Sequence, residues 1–313
     1  MVLYALRRLA VGSVLAVLVT LITYLMLSVS FDSIVHAIVG PAATPETIAA
    51  RRADLGLDQP MYEQYLDWLV QAFRGDFGVS YFTSEPVGEA VASRLAVTLS
   101  LVVIALVITA VVSVALGVLA ATRSGPIDRM AQGLSLIGTM VPSLLLAIVL
   151  VYVLAINLKL FPATGYTTFS ENPARWAATI TIPVIVLVVH GIANLTSQVR
   201  GAMIDELGKD YIRTLRTRGI STRSVVLRHA LRNAAGPALT VLSLEFVTML
   251  GGALIIENVF ALPGFGAFAF NAALQGDVPV IMGITTFAVV LVVGVNLTVD
   301  LVNGWLNPKA RVH

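Results

Sequence analysis

Six blocks of apolar residues, 9–30, 95–121, 131–156, 177–199, 234–256 and 280–302, dominate this chain. A helix needs about 20 apolar residues to cross about 30 Å of hydrocarbon, and in that medium every backbone polar group must find its partner within the protein. The expectation is an all-α membrane protein with six transmembrane helices. Composition agrees, with 57% of the 313 residues hydrophobic and 12% charged, against about 25% charged in a soluble domain. A net charge of +2 gives no footprint for nucleic acid. The absence of cysteine removes disulfides, thiolate metal ligands and cysteine nucleophiles.

Charge sets the expected orientation. Arg7 and Arg8 precede the first block. Ser28-Val29-Ser30 offers a small-residue cleavage pattern, but the block exceeds the 7–15 residues usual for a signal core, so a retained helix with its N-terminus inside is predicted. Six crossings then put both termini and the loop 201–236 in the cytoplasm. Fourteen of the twenty Lys and Arg residues fall on that side, Lys309 and Arg311 among them, and six on the other. This is the positive-inside bias. Pro142, Pro183 and Pro237 are expected to kink their spans, and Gly251-Gly252 to allow close helix approach.

Between the first two spans, 31–94 reads as a small helical extracytoplasmic insertion over the membrane surface. Thr44-Pro45 has the form of an N-cap followed by a first-turn proline, with Gly56 as the stop. A second helix runs from Pro60 to Phe73 and ends at Gly75, with Tyr62, Tyr65, Leu66, Leu69 and Phe73 predicted on its apolar face.

The longest polar interruption late in the chain carries two short basic helices. In the first, Tyr211, Ile212 and Leu215 form an apolar stripe beside Arg213, Arg216 and Arg218. Gly219 is the residue a helix favours just past its end, and Ser221 can cap a second helix with Val226, Leu227, Ala230 and Leu231 on one face. This elbow resembles the signature loop of ABC importer permeases. Against that loop's general form the match is poor, since Arg213-Thr214-Leu215 replaces Glu-Ala-Ala, His229 replaces Ile and Arg232 replaces Pro, while Gly219 and Leu231 fit. Against the oligopeptide/dipeptide/nickel branch it is good, through Asp210-Tyr-Ile-Arg-Thr214, Arg218-Gly219 and Arg228-His-Ala-Leu-Arg-Asn-Ala234. The same branch is resembled at Leu55-Gly-Leu-Asp-Gln-Pro60, Arg74-Gly-Asp-Phe-Gly78 with Ser80, Leu160-Phe-Pro-Ala-Thr-Gly165, and Glu257, Phe260, Pro263, Gly264 and Gly266.

Glu257 to Gly266 is too apolar for a solvated linker, and Phe260, Phe265, Phe268 and Phe270 suggest a short helix dipping back at an outer mouth. Ionisable side chains at membrane depth are costly and tend to face a bundle interior or water. Three occur, His190, Glu245 and Asp300. Asp300 reads as snorkelling or paired with Lys309; Glu245, mid-span, could line a hydrated path or pair with His190, the pair being the weaker reading. No zinc, nucleophile-elbow or P-loop motif is present, because Gly208-Lys209 is followed by Asp210 and His190 has no histidine at helical spacing. An intramembrane hydrolase therefore lacks its chemistry, and neither catalytic nor metal residues are expected.

The resemblance implies a type I ABC importer permease fold and three segments: 1–30 with the first helix, the insertion 31–94, and a core 95–313 containing the coupling loop. It implies an importer of peptides or similar small solutes in a bacterial or archaeal inner or plasma membrane. Its partners would be a second related permease, two ABC ATPase subunits, an extracytoplasmic solute-binding protein and membrane lipid. ATP and magnesium would sit on the ATPases, with no cofactor and no enzymatic activity on this chain. Coupling would fall to Tyr211, Ile212, Arg213, Leu215, Arg216, Gly219, His229 and Leu231, with the apolar stripe of the first helix facing the ATPase. The outer mouth would be formed by Glu257, Phe260, Pro263, Gly264, Phe265 and Gly266. The alternative is an ion-coupled secondary transporter using Glu245 and His190; it predicts inverted repeats, and none is evident between the halves.

Overall fold

A computed structural model describes residues 2–123 and 125–306. Lys309 and Arg311, counted above as inside charges, lie outside the described residues. The described chain is helical almost throughout, with α1 Val2–Ser28, α2 Phe31–Val39, α3 Pro45–Asp54, α4 Met61–Phe73, α5 Val87–Thr122, α6 Pro126–Met140 and α7 Ser143–Leu150. There follow α8 Pro173–Leu207, α9 Asp210–Thr217, α10 Thr222–Ser224, α11 Leu231–Val259, α12 Phe265–Gln275 and α13 Val278–Leu306. Two π-helical stretches, Val151–Asn157 and Val225–Ala230, continue α7 and α10. Five helical stretches among the described residues are long and apolar enough to cross a membrane, so the chain is a multi-pass membrane protein.

The predicted third span is not one straight helix. Asp128–Met140 and Ser143–Asn157 meet at 98°. The break falls at Val141 and Pro142, where extended backbone stops α6; a residue before proline is pushed out of the helical region and proline supplies no N–H to the turn before it. Pro183 and Pro237 instead lie inside continuous helices α8 and α11. Close approach also occurs elsewhere than predicted. A Cβ on Gly251 would meet nothing within 4 Å and one on Gly252 would sit at ordinary contact distance, whereas one on Gly138 would stand 2.7 Å from Ala193 Cβ. Gly138 is thus the residue that lets α6 lie against α8.

The described residues form two compact units, Leu99–Leu262 with the chain from Val295, and Val2–Thr98 with Pro263–Gly294. In the first, α8 and α11 pack on each other and on α6 and α7 around Leu101, Ile182, Val186, Phe246, Ala253 and Phe260. In the second, α1 holds α4 through side-chain polar groups. Tyr65 Oη donates to the Val17 carbonyl at 2.9 Å and lies 3.0 Å from Thr20 Oγ1, and Tyr24 Oη donates to Gln64 at 2.6 Å.

The caps of α3 and α4 follow the sequence. Thr44 Oγ1 accepts from the Thr47 amide with Pro45 in the first turn, and Gly56 and Gly75 take positive φ where the two helices stop. The buried face of α4 does not. Tyr65 is buried, and Trp68 stacks on it with centroids 5.9 Å apart, while Tyr62, Leu66 and Phe73 are exposed. Anchoring Tyr65 to the α1 backbone rotates α4 so that its larger apolar stripe points outward.

In the same unit the Gly75–Pro86 loop is tied to the turn before α13. Ser80 Oγ donates to buried Asp277 at 2.5 Å, and the Tyr81 amide donates to the same carboxylate at 3.2 Å. Burial, then the Asp277 charge, push the Tyr81 phenol up to about 12. The Arg74-to-Ser80 and Asp277-to-Pro279 stretches, 197 residues apart at Ser80 and Asp277, are two sides of one clamp.

Candidate functional site: the basic elbow after α8

The elbow begins where α8 stops at Leu207. Asp210 opens α9 with a carboxylate in its first turn, where the helix dipole favours negative charge. Two backbone bonds close α9 in a Schellman arrangement, the Gly219 amide to the Arg216 carbonyl at 3.0 Å and the Ile220 amide to the Leu215 carbonyl at 3.2 Å. Gly219 takes φ +75 there with nothing within 4 Å of a would-be Cβ, so conformation alone demands glycine. Ser221 Oγ then accepts from the Ser224 amide at 3.4 Å and caps α10.

Hydrophobic burial sets how this elbow sits. Ile212 is fully buried among Leu195, Val199 and Met203 of α8, Val225, Val226 and Ala230 of the π-helical stretch, and Ala234 of α11, with Tyr211, Leu215 and Leu231 packed against them. Of the three residues expected to face a partner, Ile212 is therefore turned inward, while Tyr211 and Leu215 are half-buried against the same core. Ile212 is taken up by the chain's own core, because it lies on the apolar side of a short helix packed on α8 and the π-helical stretch. Leu227 is also displaced from its predicted face. Along this π-helical stretch, whose backbone bonds span five residues rather than four, Val225, Val226 and Ala230 are buried and Leu227 is left 48% exposed. Arg213, Arg216, Arg218, Arg223, Arg228 and Arg232 are all exposed, and His229 is half-buried.

A polar clamp, missed in the sequence, locks the arrangement. Glu206, only 5% exposed, forms an ion pair with Lys209 and accepts from Tyr211 Oη at 2.6 Å and Asn233 Nδ2 at 3.0 Å. Asn233 Nδ2 also lies 3.1 Å from Tyr211 Oη, so α8, α9 and α11 meet at one carboxylate. Burial and the bond to Glu206 hold the Tyr211 phenol above its ordinary value. The available signal was the acidic pair Asp205-Glu206 at the entrance to a run of cations, with Asn233 in a stretch that resembled a known family.

The sequence matches the family model described as "Binding-protein-dependent transport system inner membrane component" over residues 113–312, and the corresponding N-terminal model over residues 1–102. The chain belongs to this family. As a binding-protein-dependent permease it is a membrane subunit of an ABC importer. It is 37% identical to a putative peptide transport system permease protein of Brucella abortus strain 2308, over 98% of each chain. A probable peptide ABC transporter permease protein of Sinorhizobium fredii is 36% identical over 98% of this chain and 99% of its own. The dipeptide transport system permease protein of Escherichia coli K12 is 33% identical over 98% of each.

Elsewhere in the permease the predicted mouth residues fall into two different cores. Phe260 is buried with α8 and α11 side chains, and its carbonyl accepts from the Gly165 amide at 3.0 Å, joining the Leu160-to-Gly165 stretch to this end of α11. Glu257 is fully buried, and its carbonyl accepts from the Leu262 amide at 2.9 Å. Pro263 is exposed and Gly264 precedes α12. Phe265 and Gly266 are buried in α12, with the Phe265 amide donating to Thr98 Oγ1 at 2.8 Å. Phe268 lies under the Arg94 guanidinium at 4.1 Å, and Phe270 is exposed. The four phenylalanines are thus not one cluster.

The intramembrane polar residues also separate. Glu245 is buried and accepts from Asn194 Nδ2 at 2.5 Å, while its Oε2 has no partner among the described residues. The Glu245–His190 pair is therefore not made, and a relay through it has no contact to run along; Asn194, one turn after half-buried His190, takes its place. Asp300 is half-buried in α13, and its suggested partner Lys309 lies outside the described residues.

Proposed function

We propose that this chain is one of two related permease subunits of an ATP-driven importer of short peptides in a bacterial or archaeal plasma membrane. It has six crossings in a type I arrangement, the bent pair α6–α7 supplying one of them, with both termini and the 201–236 loop cytoplasmic. Segment 1–30 anchors it, 31–94 forms an extracytoplasmic insertion, and 95–313 carries half of the translocation path. A solute-binding protein delivers cargo outside, two ATPases bind ATP and magnesium inside, and lipid surrounds the spans.

The observation that carries this reading is the elbow, already folded on α8 and α11 with its arginines outward. Coupling follows in two tiers. Arg213 and Arg216 reach the ATPase with exposed Leu227, while Ile212, Leu215, Tyr211, Gly219, His229 and Leu231 hold the elbow rigid, so that ATP-driven closure tilts α8 and α11 as one body and opens the path at Glu257–Gly266. The test is reconstitution with both ATPases, the second permease and a peptide-loaded binding protein in proteoliposomes. ATP-dependent accumulation of a labelled tripeptide is expected; accumulation driven by a proton or sodium gradient without ATP would overturn the reading.

A further inference from the structure

Helix α4 has three distinct sides. At about 100° per residue, Tyr65, Trp68, Leu69 and Ala72 share the side that meets the protein. Tyr62, Leu66, Val70 and Phe73 fill the next sector, of about 80°, and Glu63, Asp67 and Gln71 the one after it. All seven residues of these two sectors are exposed, Phe73 at 77%. The outward surface of α4 is thus divided lengthwise into an apolar edge and a polar edge. Such a helix suits a membrane–water boundary, where one edge enters the acyl chains and the other meets water.

The position of α4 agrees. Tyr65 is bonded to the Val17 carbonyl and the Thr20 hydroxyl, inside the apolar span Leu6–Ser28 and not beyond its end. Beside these bonds opens a groove of about 460 Å³ walled by α1, α4 and α13, with Ala16, Ala72, Phe73, Val290 and Val293 in its lining. Its polar residues are Ser13, Thr20, Thr286 and Trp68. Both threonines give their hydroxyls to carbonyls of their own helices, those of Ala16 and Met282, each at 2.8 Å. The indole nitrogen of Trp68 is shut away from the surface, so this residue offers the groove its ring carbons. A polar occupant would lose its hydration there for little return. Since α1 and α13 are both long and apolar enough to be spans, the groove opens into hydrocarbon. The exposed edge of α4 is made of large side chains, whereas helices that pack on one another in hydrocarbon favour small ones.

We propose that α4 is seated in the leaflet at the Ser28 end of α1, and that the groove takes one acyl chain of a phospholipid. Tyr62, Leu66, Val70 and Phe73 then lie among the chains of that leaflet. Glu63 and Asp67 on the water edge offer nothing to an anionic headgroup, so the fit of the chain and not the headgroup sets the choice. Segment 31–94 is therefore held to the membrane by α4, with lipid filling the space between α4 and the two spans. This requires only that α1 and α13 cross the membrane, and it is independent of the cargo.

The probe is a phosphatidylethanolamine carrying a diazirine near the end of one acyl chain, mixed into vesicles that hold the assembled transporter. After irradiation, lipid adducts on this chain are mapped by mass spectrometry. Adducts are expected on Leu66 and Phe73 of the apolar edge and on Ala16 and Val293 of the groove. Ala72→Trp fills the groove and should abolish the Ala16 and Val293 adducts while leaving that on Leu66, which does not line it. Should Ala72→Trp fail to insert, Val290→Trp, at an exposed position of the wall, is judged in the same way. Groove adducts undiminished in the variant that inserts overturn the chain site. Absence of lipid adducts from Leu66 and Phe73 overturns the seating of α4 and gives that edge to a protein partner. Either result leaves the importer reading standing.

Discussion

Glu206 concentrates the elbow's stability in one side chain. Its carboxylate is buried and has three partners, and removing one side of such a network leaves the others unsatisfied. Glu206→Ala should loosen α9 and lose the ATPases in co-purification, while Tyr211→Phe, which deletes the contacts to Glu206 and Asn233 but leaves the ion pair with Lys209, should cost about 1–3 kcal/mol and be read as faster amide exchange in α9. Gly219→Val should be more damaging than the empty space around it suggests. Its cost, about 1–2 kcal/mol, comes from forcing a β-branched residue into positive φ. Transport by Gly219→Val at the unaltered rate would show that the elbow tolerates re-aiming. Gly219 and Ser221 were legible in the sequence because their roles are local. Glu206 was not, because Asn233 stands 27 residues away.

The elements teach a similar distinction. Helix existence and caps followed from periodicity and punctuation, but which face turns inward was settled by partners that no local window contains. On α4 the Tyr65 hydroxyl finds the α1 backbone, and in the π-helical stretch the widened turn leaves Leu227 outside the buried set of Val225, Val226 and Ala230. Two substitutions separate docking from folding in the elbow. Leu215→Asp puts a charge against the core and should destabilise the permease itself. Leu227→Asp changes an exposed residue and should leave it folded while weakening ATPase binding; full ATPase retention by Leu227→Asp would place the docking contact elsewhere. The Ser80–Asp277 clamp gives a third case. Asp277→Ala strands the Ser80 hydroxyl and the Tyr81 amide, so Gly75–Pro86 should become protease-sensitive, which limited proteolysis will read.

At the scale of the whole molecule, the five long apolar helices were legible as blocks, whereas the 98° bend in the third block was hidden by its unbroken hydropathy. Only Pro142 marked it, in a sequence where Pro183 and Pro237 leave their helices continuous. The orientation can be tested directly because the chain has no cysteine of its own. Single cysteines at Ser84 and Thr217, both exposed, should differ toward an impermeant thiol reagent applied to intact cells. Ser84→Cys is expected to label and Thr217→Cys to stay dark until the membrane is permeabilised. The opposite pattern would turn the permease over and remove the elbow from the side where ATP is bound.

The inward packing of Ile212 has a further consequence, for the thermodynamics of assembly. A segment that orders only on contact loses chain entropy at that moment and shows a large negative heat-capacity change as it folds. This elbow has Ile212 buried, the end of α9 closed and the start of α10 capped before any partner arrives, so little of that loss remains to be incurred. Calorimetric titration of the permease with its ATPase should accordingly give a heat-capacity change no larger than the rigid contact area requires.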